Sequence, residues 1–387
     1  MSNVMTAAQD RVELRRTRIV CVSDTHSASP LDGGFTLPKG DVLIHAGDLT
    51  NQGTFSELEK TVGWIDAADF ECKIVIAGNH DITLDGDFYS QHGARFHNQC
   101  LQDSTACGEL LSNSKTIKYL NHESSVIRLT SPAGPQTTFK VFGSPYSPAC
   151  GLWAFGYSPE ISTGLWDAIP SDADVVLTHT PPQYSCDQRK DPEHVGCEAL
   201  RHSLRRVRPR LAICGHVHEG RGIQRVRWDL ERDARSVEER GEPWIDPGEN
   251  NKKMSLVDLT GRKGARLDND GSVVQGQEGT TDLEGMRSSK HPIAEVINED
   301  QLPLSLSCAG SESPSDSYIE GRRIDQAVRK KERSLAGTRE LSTGRRETCV
   351  VNAAIMASSW PHKKSGGKRF NKPIVIDVDL PVYEDHD

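Results

Sequence analysis

A chain of 387 residues that is 35% hydrophobic and 6% aromatic holds apolar material for one large domain or two ordinary ones, yet less than a fully packed globule of that length. The formal charge of −9 and pI near 5.9 argue against a general binder of nucleic acid or anionic membranes, whose surface must be basic to displace counterions from phosphates. No window approaches the roughly 18 apolar residues that cross a bilayer, and MSNVMTAAQDRVELRR at the N-terminus has no apolar leader core, so the expectation is a soluble cytoplasmic protein with no membrane partner.

In chain order, residues 1–16 read as a flexible N-terminus, and from Thr17 to about Trp228 short apolar runs alternate with turn-forming clusters. RIVCVS (residues 18–23) leads into Asp24 and His26, and DVLIHAG (41–47) into Asp48. At Thr54, TFSE offers a capping box with Glu57, and Leu58, Val62 and Ile65 follow at helical spacing. KIVIAG (73–78) ends at Asn79 and His80, FKVFGS (139–144) at an aromatic loop, and DVVLTH (174–179) at His179. A second helix candidate covers about Cys197 to Val207, after which RLAICG (210–215) leads into His216 and His218. Runs that are apolar throughout fit strands covered on both faces, and their alternation with helices is an α/β pattern.

From residue 229 to 346, Gly, Ser and charged residues dominate, a composition that buries too little apolar surface to offset chain entropy. This stretch is expected to be a largely disordered, low-complexity insertion, suited to a protein partner that it would meet by folding on binding. Strand-like character returns in TCVVNAAIM and KPIVIDVDL, so residues 347–387 are expected to complete the first domain. The ten cysteines lack CxxC pairs or secreted spacing and are expected to be free, mostly buried thiols.

Ligands gather at the carboxyl ends of strands in α/β sheets. Convergence of these ends would assemble Asp24, His26, Asp48, Asn79, His179, His216 and His218. Two carboxylates, four imidazoles and one amide oxygen suit manganese, iron or zinc better than calcium, which prefers oxygen alone. The set is too large for one tetrahedral ion and fits two ions sharing a carboxylate. Two dications, two aspartates and one hydroxide leave a net positive charge that attracts phosphate. Taken singly, each residue has a plainer reading. Asp24 and Asp48 could be turn or cap residues, and Asn79 a left-handed turn residue after Gly78. His216 and His218, on one side of an extended stretch, could be an exposed pair.

Other residues carry less weight. His45 is expected to be a satisfied core histidine, with support of the site as the alternative. Asp81 either orients the turn by hydrogen bonds or caps the next segment. Core packing is the expectation for the aromatic loop SPYSPACGLWAFGY (Ser144 to Tyr157), a wall of the substrate cleft the alternative. Pro181 and Pro182 fix the chain's exit after His179. Arg205, Arg206, Arg208 and Arg210 read as a solvated surface.

The ordered blocks DTH (Asp24 to His26), GD (Gly47, Asp48), GNHD (Gly78 to Asp81), the His179 of LTHTPP, and GHVH (Gly215 to His218) resemble the calcineurin-like metallophosphoesterases. VCVSDTHS, GDVLIHAGD, VFGSPYSP and VGCEAL are similar to the subgroup of metallophosphoesterase domain-containing proteins. The resemblance implies a two-sheet β-sandwich flanked by helices, with Asp24, His26 and His218 on one metal, Asn79, His179 and His216 on a second, and Asp48 bridging. His80 would face the substrate as the catalytic general acid. The implied reaction is hydrolysis of a small organic phosphate, a phosphodiester such as a cyclic nucleotide or a phosphomonoester, by a metal-bridging hydroxide. Many members carry Asp three residues after the bridging aspartate, where it can pair with the catalytic histidine; Asn51 stands there and cannot stabilise an imidazolium by charge. A nuclease, disfavoured by the acidic balance, and a nonenzymatic nucleotide- or partner-binding module remain as alternatives.

Overall fold

The computed structural model describes residues 12–190, 193–229, 245–249, 251–269, 344–357 and 368–383. In chain order the elements are β1 (Leu14–Val22), β2 (Val42–Ala46), α1 (Phe55–Ala67), β3 (Cys72–Ile76), α2 (Gly86–Phe96), α3 (Ser104–Ser112), β4 (Ile117–Tyr119), β5 (Glu123–Arg128) and β6 (Thr138–Ser144). Two short strands, β7 (Ser147–Pro148) and β8 (Gly156–Tyr157), precede α4 (Pro159–Trp166), β9 (Val175–Thr178), α5 (Glu198–Val207), β10 (Leu211–Cys214), β11 (Gly222–Arg227), β12 (Ser255–Asp258), β13 (Glu347–Asn352) and β14 (Ile374–Pro381).

Each long strand splits its side chains between two cores because successive residues point to opposite faces. From β1, Ile19 and Cys21 enter one cluster and Val20 and Val22 another. The first cluster lies between two sheets, joining Ile44 and Ile74 to Val141, Leu177, Ile213 and Val351. The second packs the outer face of the first sheet against Leu58, Val62 and Ile65 of α1 and Leu111 of α3. A third packs Val176 and Ala212 of the second sheet under Trp166 of α4 and Leu200 and Leu204 of α5. The layers are helix, sheet, sheet, helix, as the resemblance implies.

Both sheets have six strands, in the orders β12-β14-β1-β2-β3-β4 and β11-β13-β10-β9-β6-β5. β1, β2 and β3 run parallel, as do β6, β9, β10 and β13. The motif-bearing ends of both sheets therefore belong to parallel runs. Thr54 and Glu57 form the expected reciprocal cap of α1, and Cys197 caps α5.

The polar stretch 229–346 needs one correction. Within it, Ser255–Asp258 forms β12, paired with β14 in parallel, and Leu259, Leu267 and Asn269 are buried. Averaged composition hid this short edge strand among charged neighbours. The rest of the disordered-insertion expectation, apart from residues 229, 245–249, 251–269 and 344–346, and the flexible N-terminus up to residue 11 lie outside the described residues. Arg210 corrects another expectation: it is buried, Nε 3.7 Å from Asp174 Oδ1, while Arg206 Nη2 donates to the Ile169 carbonyl at 3.0 Å. The nine described cysteines are free, five of them buried. No helix among the described residues is long and apolar enough to cross a membrane.

Candidate metal centre

All seven expected donors meet at the carboxyl ends of the parallel strands, and Asp48 stands between two groups of them. On one side, His218 Nε2 lies 3.3 Å from Asp24 Oδ1 and 3.4 Å from His26 Nε2, and His26 Nε2 lies 3.7 Å from Asp48 Oδ2. On the other, His179 Nε2 lies 3.3 Å from Asp48 Oδ1 and 3.0 Å from Asn79 Oδ1, which is 2.8 Å from His216 Nδ1. Asp48 thus turns one oxygen to each group.

The backbone is bent to present these side chains. Asp24, His26, Asp48 and His216 all have positive φ, at 55°, 44°, 53° and 66°, a left-handed conformation that costs a non-glycine residue about 1–2 kcal/mol. Asn79 does not share it among the positive-φ residues, so the reading of Asn79 as a left-handed turn residue fails. Two motif glycines serve close approach: a Cβ on Gly78 would strike the Asp48 carboxylate, and one on Gly215 would strike Ser23 and the Asp24 carboxylate.

Hydrogen bonds aim the donors. His26 Nδ1–H donates to the Thr50 carbonyl at 3.1 Å and His179 Nδ1–H to the Ala46 carbonyl at 2.9 Å, which leaves each Nε2 facing the centre. The His216 backbone N–H donates to Asp24 at 3.0 Å, and that of His80 to Asp48 Oδ1 at 2.9 Å. Asp81, fully buried, accepts from the N–H groups of Gly78, Leu49 and Thr50 and from the Thr50 hydroxyl, at 2.7–3.1 Å. It makes no side-chain cap. Of its two sequence readings, orientation of the turn is the one observed: it ties the loop after β2 to the loop after β3.

The electrostatics favour positive charge. Burial alone would raise Asp48, but the charges of His179 and His80 hold it well below the usual carboxylate range. Against burial, the hydrogen bond and charge of His218 hold Asp24 down at about 2. Burial lowers His26 and His216 to about 4, keeping both neutral at physiological pH. At His179 burial is outweighed by Asp48, and the group rises to about 9. A nitrogen held beside carboxylates strongly enough to retain a proton attracts a cation for the same reason. Ionised carboxylates, an amide oxygen and imidazoles, that of His179 once a cation displaces its proton, make a set that fits divalent ions. Close groupings of ligand atoms, all within 4.8 Å of one another, are Asp24–His26–His218, Asp24–Asp48–His179 and His26–Asp48–His80.

His80 is partly exposed beside this centre. Its Nδ1–H donates to the backbone carbonyl of Asn51 at 2.7 Å. The Asn51 amide is engaged elsewhere, donating to Glu57 Oε1 at 2.8 Å and Ser27 Oγ at 3.1 Å. The imidazole is therefore oriented by main chain at position 51, which hydrogen-bonds whatever side chain stands there. The other face of His80 meets Trp153, ring centroids 4.0 Å apart at 32°. Core packing is the expectation for this aromatic loop; Phe155 and Tyr157 follow it, and Trp153 does both, packing on the cluster that holds Phe155, with Phe96 5.5 Å away, while it meets His80. Alternation of aromatic and small residues gave no signal to separate them. His45 Nε2 lies 2.9 Å from Thr25 Oγ1, so this buried histidine braces the turn between Asp24 and His26. Trp153→Ala frees one face of His80; kcat on an aryl phosphate is expected to fall about three- to tenfold, in proportion to a lost aromatic contact. Equal kcat in the variant would show that Trp153 does not hold the imidazole.

Strand ends, donor types and left-handed donor loops together define an α/β sandwich built around a metal-binding edge. Residues 17–220 match the family model described as calcineurin-like phosphoesterase, and the chain belongs to that family. It is 36% identical over 218 residues to human metallophosphoesterase domain-containing protein 1, covering 54% of this chain and 62% of that protein. The UPF0046 protein K07C11.7 of Caenorhabditis elegans is 35% identical over 206 residues, 53% of this chain and 65% of that protein. A protein of Emericella nidulans named probable rhamnogalacturonate lyase C is 41% identical over 227 residues, 58% of this chain but 19% of that protein. The chain thus spans less than two thirds of the length of these curated relatives.

Proposed function

We propose that the chain is a metal-dependent phosphoesterase that hydrolyses a small organic phosphate in the cytoplasm, a phosphodiester such as a cyclic nucleotide or a phosphomonoester. The observation that carries this reading is the pair of donor groups that share Asp48, with His80 beside them. Asp24, His26 and His218 would hold one divalent ion, Asn79, His179 and His216 another, and manganese, iron and zinc all suit these donors. When bound, such ions supply Lewis acidity toward a phosphoryl group and a water acidic enough to be a nucleophile near neutral pH.

The remaining work falls to side chains and main chain. Asp48 takes both donor groups into one array, and the N–H of His80 keeps its carboxylate in place. The Asn51 carbonyl fixes the tautomer of His80, so that Nε2 is the atom able to exchange a proton with a leaving oxygen. Trp153 restricts the ring's rotation by stacking on it.

The test is elemental analysis of the purified protein together with hydrolysis of a panel of nucleotides and aryl phosphates. His80→Ala is expected to lower kcat by roughly 10²–10⁴-fold, the usual yield of general acid–base catalysis, while metal content stays at the wild-type level. Loss of metal alongside activity would instead make His80 a ligand within the His26–Asp48–His80 grouping.

A further inference from the structure

A cleft of about 270 Å³ opens beside the centre, lined among others by His26, Asn51, Asp32, Gly34, Lys368 and Phe370. None of its residues except His26 belongs to the donor set. The wall formed by Lys368 and Phe370 comes from the far end of the chain. It is held there by main-chain bonds: Ile355 N–H donates to the Ser23 carbonyl at 2.9 Å, Ala357 N–H to Arg369 at 2.7 Å and Asn371 N–H to Ile355 at 2.6 Å. This short antiparallel pairing, bridged at Met356 and Phe370, lies against the turn that carries Asp24 and His26.

Lys368 Nζ donates to the His26 carbonyl at 2.9 Å and to Asn51 Oδ1 at 3.0 Å. An ammonium has three N–H groups, and two are engaged by these described partners. Asn51 therefore carries Lys368 on its side chain and His80 on its carbonyl, which sets the ammonium and the imidazole at one residue. Phe370 stands on the same wall. Its ring packs toward Phe35, centroids 6.4 Å apart, and a Cβ on Gly34 would come within 3.3 Å of it, so Gly34 leaves the ring room. The acid on the cleft, Asp32, is paired with Lys60 at 2.6 Å, which offsets its repulsion of an anion.

We infer that this cleft seats the organic group of the phosphate ester, with Phe370 as the stacking face for a flat aromatic ring and Lys368 as a contact for the ester's anionic oxygens. The inference rests on the phosphoesterase reading of the adjacent centre and narrows it to aryl or nucleoside esters. Size agrees: the cleft lies just below the roughly 300–1,000 Å³ of pockets for drug-sized ligands, enough for a ring system. A ring face and a cation on one wall recognise flat anions better than aliphatic ones.

The experiment uses full-length, manganese-loaded protein with phenylphosphonate and methylphosphonate as non-hydrolysable probes, titrated by calorimetry, beside steady-state hydrolysis of p-nitrophenyl phosphate. Phe370→Ala is expected to weaken phenylphosphonate about three- to tenfold and to leave methylphosphonate within about twofold, because only the first has a ring to stack. Lys368→Gln is expected to weaken both probes by similar factors. Phe370→Leu, which keeps most of the apolar volume, replaces Phe370→Ala if the latter does not fold. Equal losses on both probes in the Phe370 variants, no loss in either, or no binding of phenylphosphonate to wild-type protein overturns the inference. Ring-selective binding without hydrolysis of any ester would keep the subsite and remove the catalytic reading; hydrolysis with an unchanged KM in Phe370→Ala would do the reverse.

Discussion

Asparagine in place of Asp48 is expected to lower phosphoester hydrolysis by roughly 10³-fold or more, as loss of one member of a cooperating catalytic unit does, and to cut metal content below that of the wild type. The substitution keeps shape and removes charge. Asp48 is buried, with Oδ1 3.3 Å from His179 Nε2 and Oδ2 3.7 Å from His26 Nε2. An amide offers one acceptor oxygen where the carboxylate offers two, and its NH₂ repels a cation on whichever side it faces. The bond from the His80 N–H requires an acceptor at Oδ1, so the amide oxygen is drawn to that side and the NH₂ to the side of His26. Ions on that side should be lost first. Elemental analysis, circular dichroism and aryl phosphate hydrolysis on one preparation check this together. Metal content equal to wild type, with activity within tenfold of it, would sink the shared-carboxylate reading.

Asp81→Ala should unfold the protein earlier. The residue is wholly buried and accepts four hydrogen bonds, from three N–H groups and one hydroxyl. Truncation leaves those donors without an acceptor in the core, and unsatisfied buried donors cost about 1–3 kcal/mol each, with partial relief if water enters. A total loss of about 3–5 kcal/mol is the expectation, which in a domain of this size lowers the melting temperature on the order of 10 °C. Burial, and then the negative charge of Asp48, raise Asp81 to about 6, so at neutral pH it is still an ionised acceptor. Because the bonds join the loops that present Asp48 and Asn79, activity should fall with stability. A thermal melt within 2 °C of wild type would show that the loops do not depend on this carboxylate.

The frame of this fold was readable because burial on both faces leaves an uninterrupted apolar run, and the residues that end such runs are where chemistry is placed. RIVCVS, KIVIAG and RLAICG are strands for that reason, and Asp24, Asn79 and His216 follow them directly. The capping box at Thr54 was readable because its logic is confined to four residues. The features that escaped depended on distance along the chain. β12 has four residues and is stabilised by pairing with β14, more than a hundred positions later. Arg210 looks like a surface charge until Asp174 is brought beside it. Lys368 and Phe370 reach the cleft beside the centre through main-chain bonds to residues near 355, which no local pattern announces. At position 51 the residue type drew attention to the amide, whereas the carbonyl meets His80. Backbone groups are the same in every residue, so roles assigned to them leave no trace in composition.

The donors are drawn from both halves of the sandwich: Asp24, His26, Asp48 and Asn79 follow strands of one sheet, and His179, His216 and His218 follow strands of the other. Cations held among them would act as rivets across the seam, resisting any sliding of the layers. Chelation should then loosen the edge of the sandwich as well as silence it, and amide exchange near residues 24, 48 and 179 would quicken together.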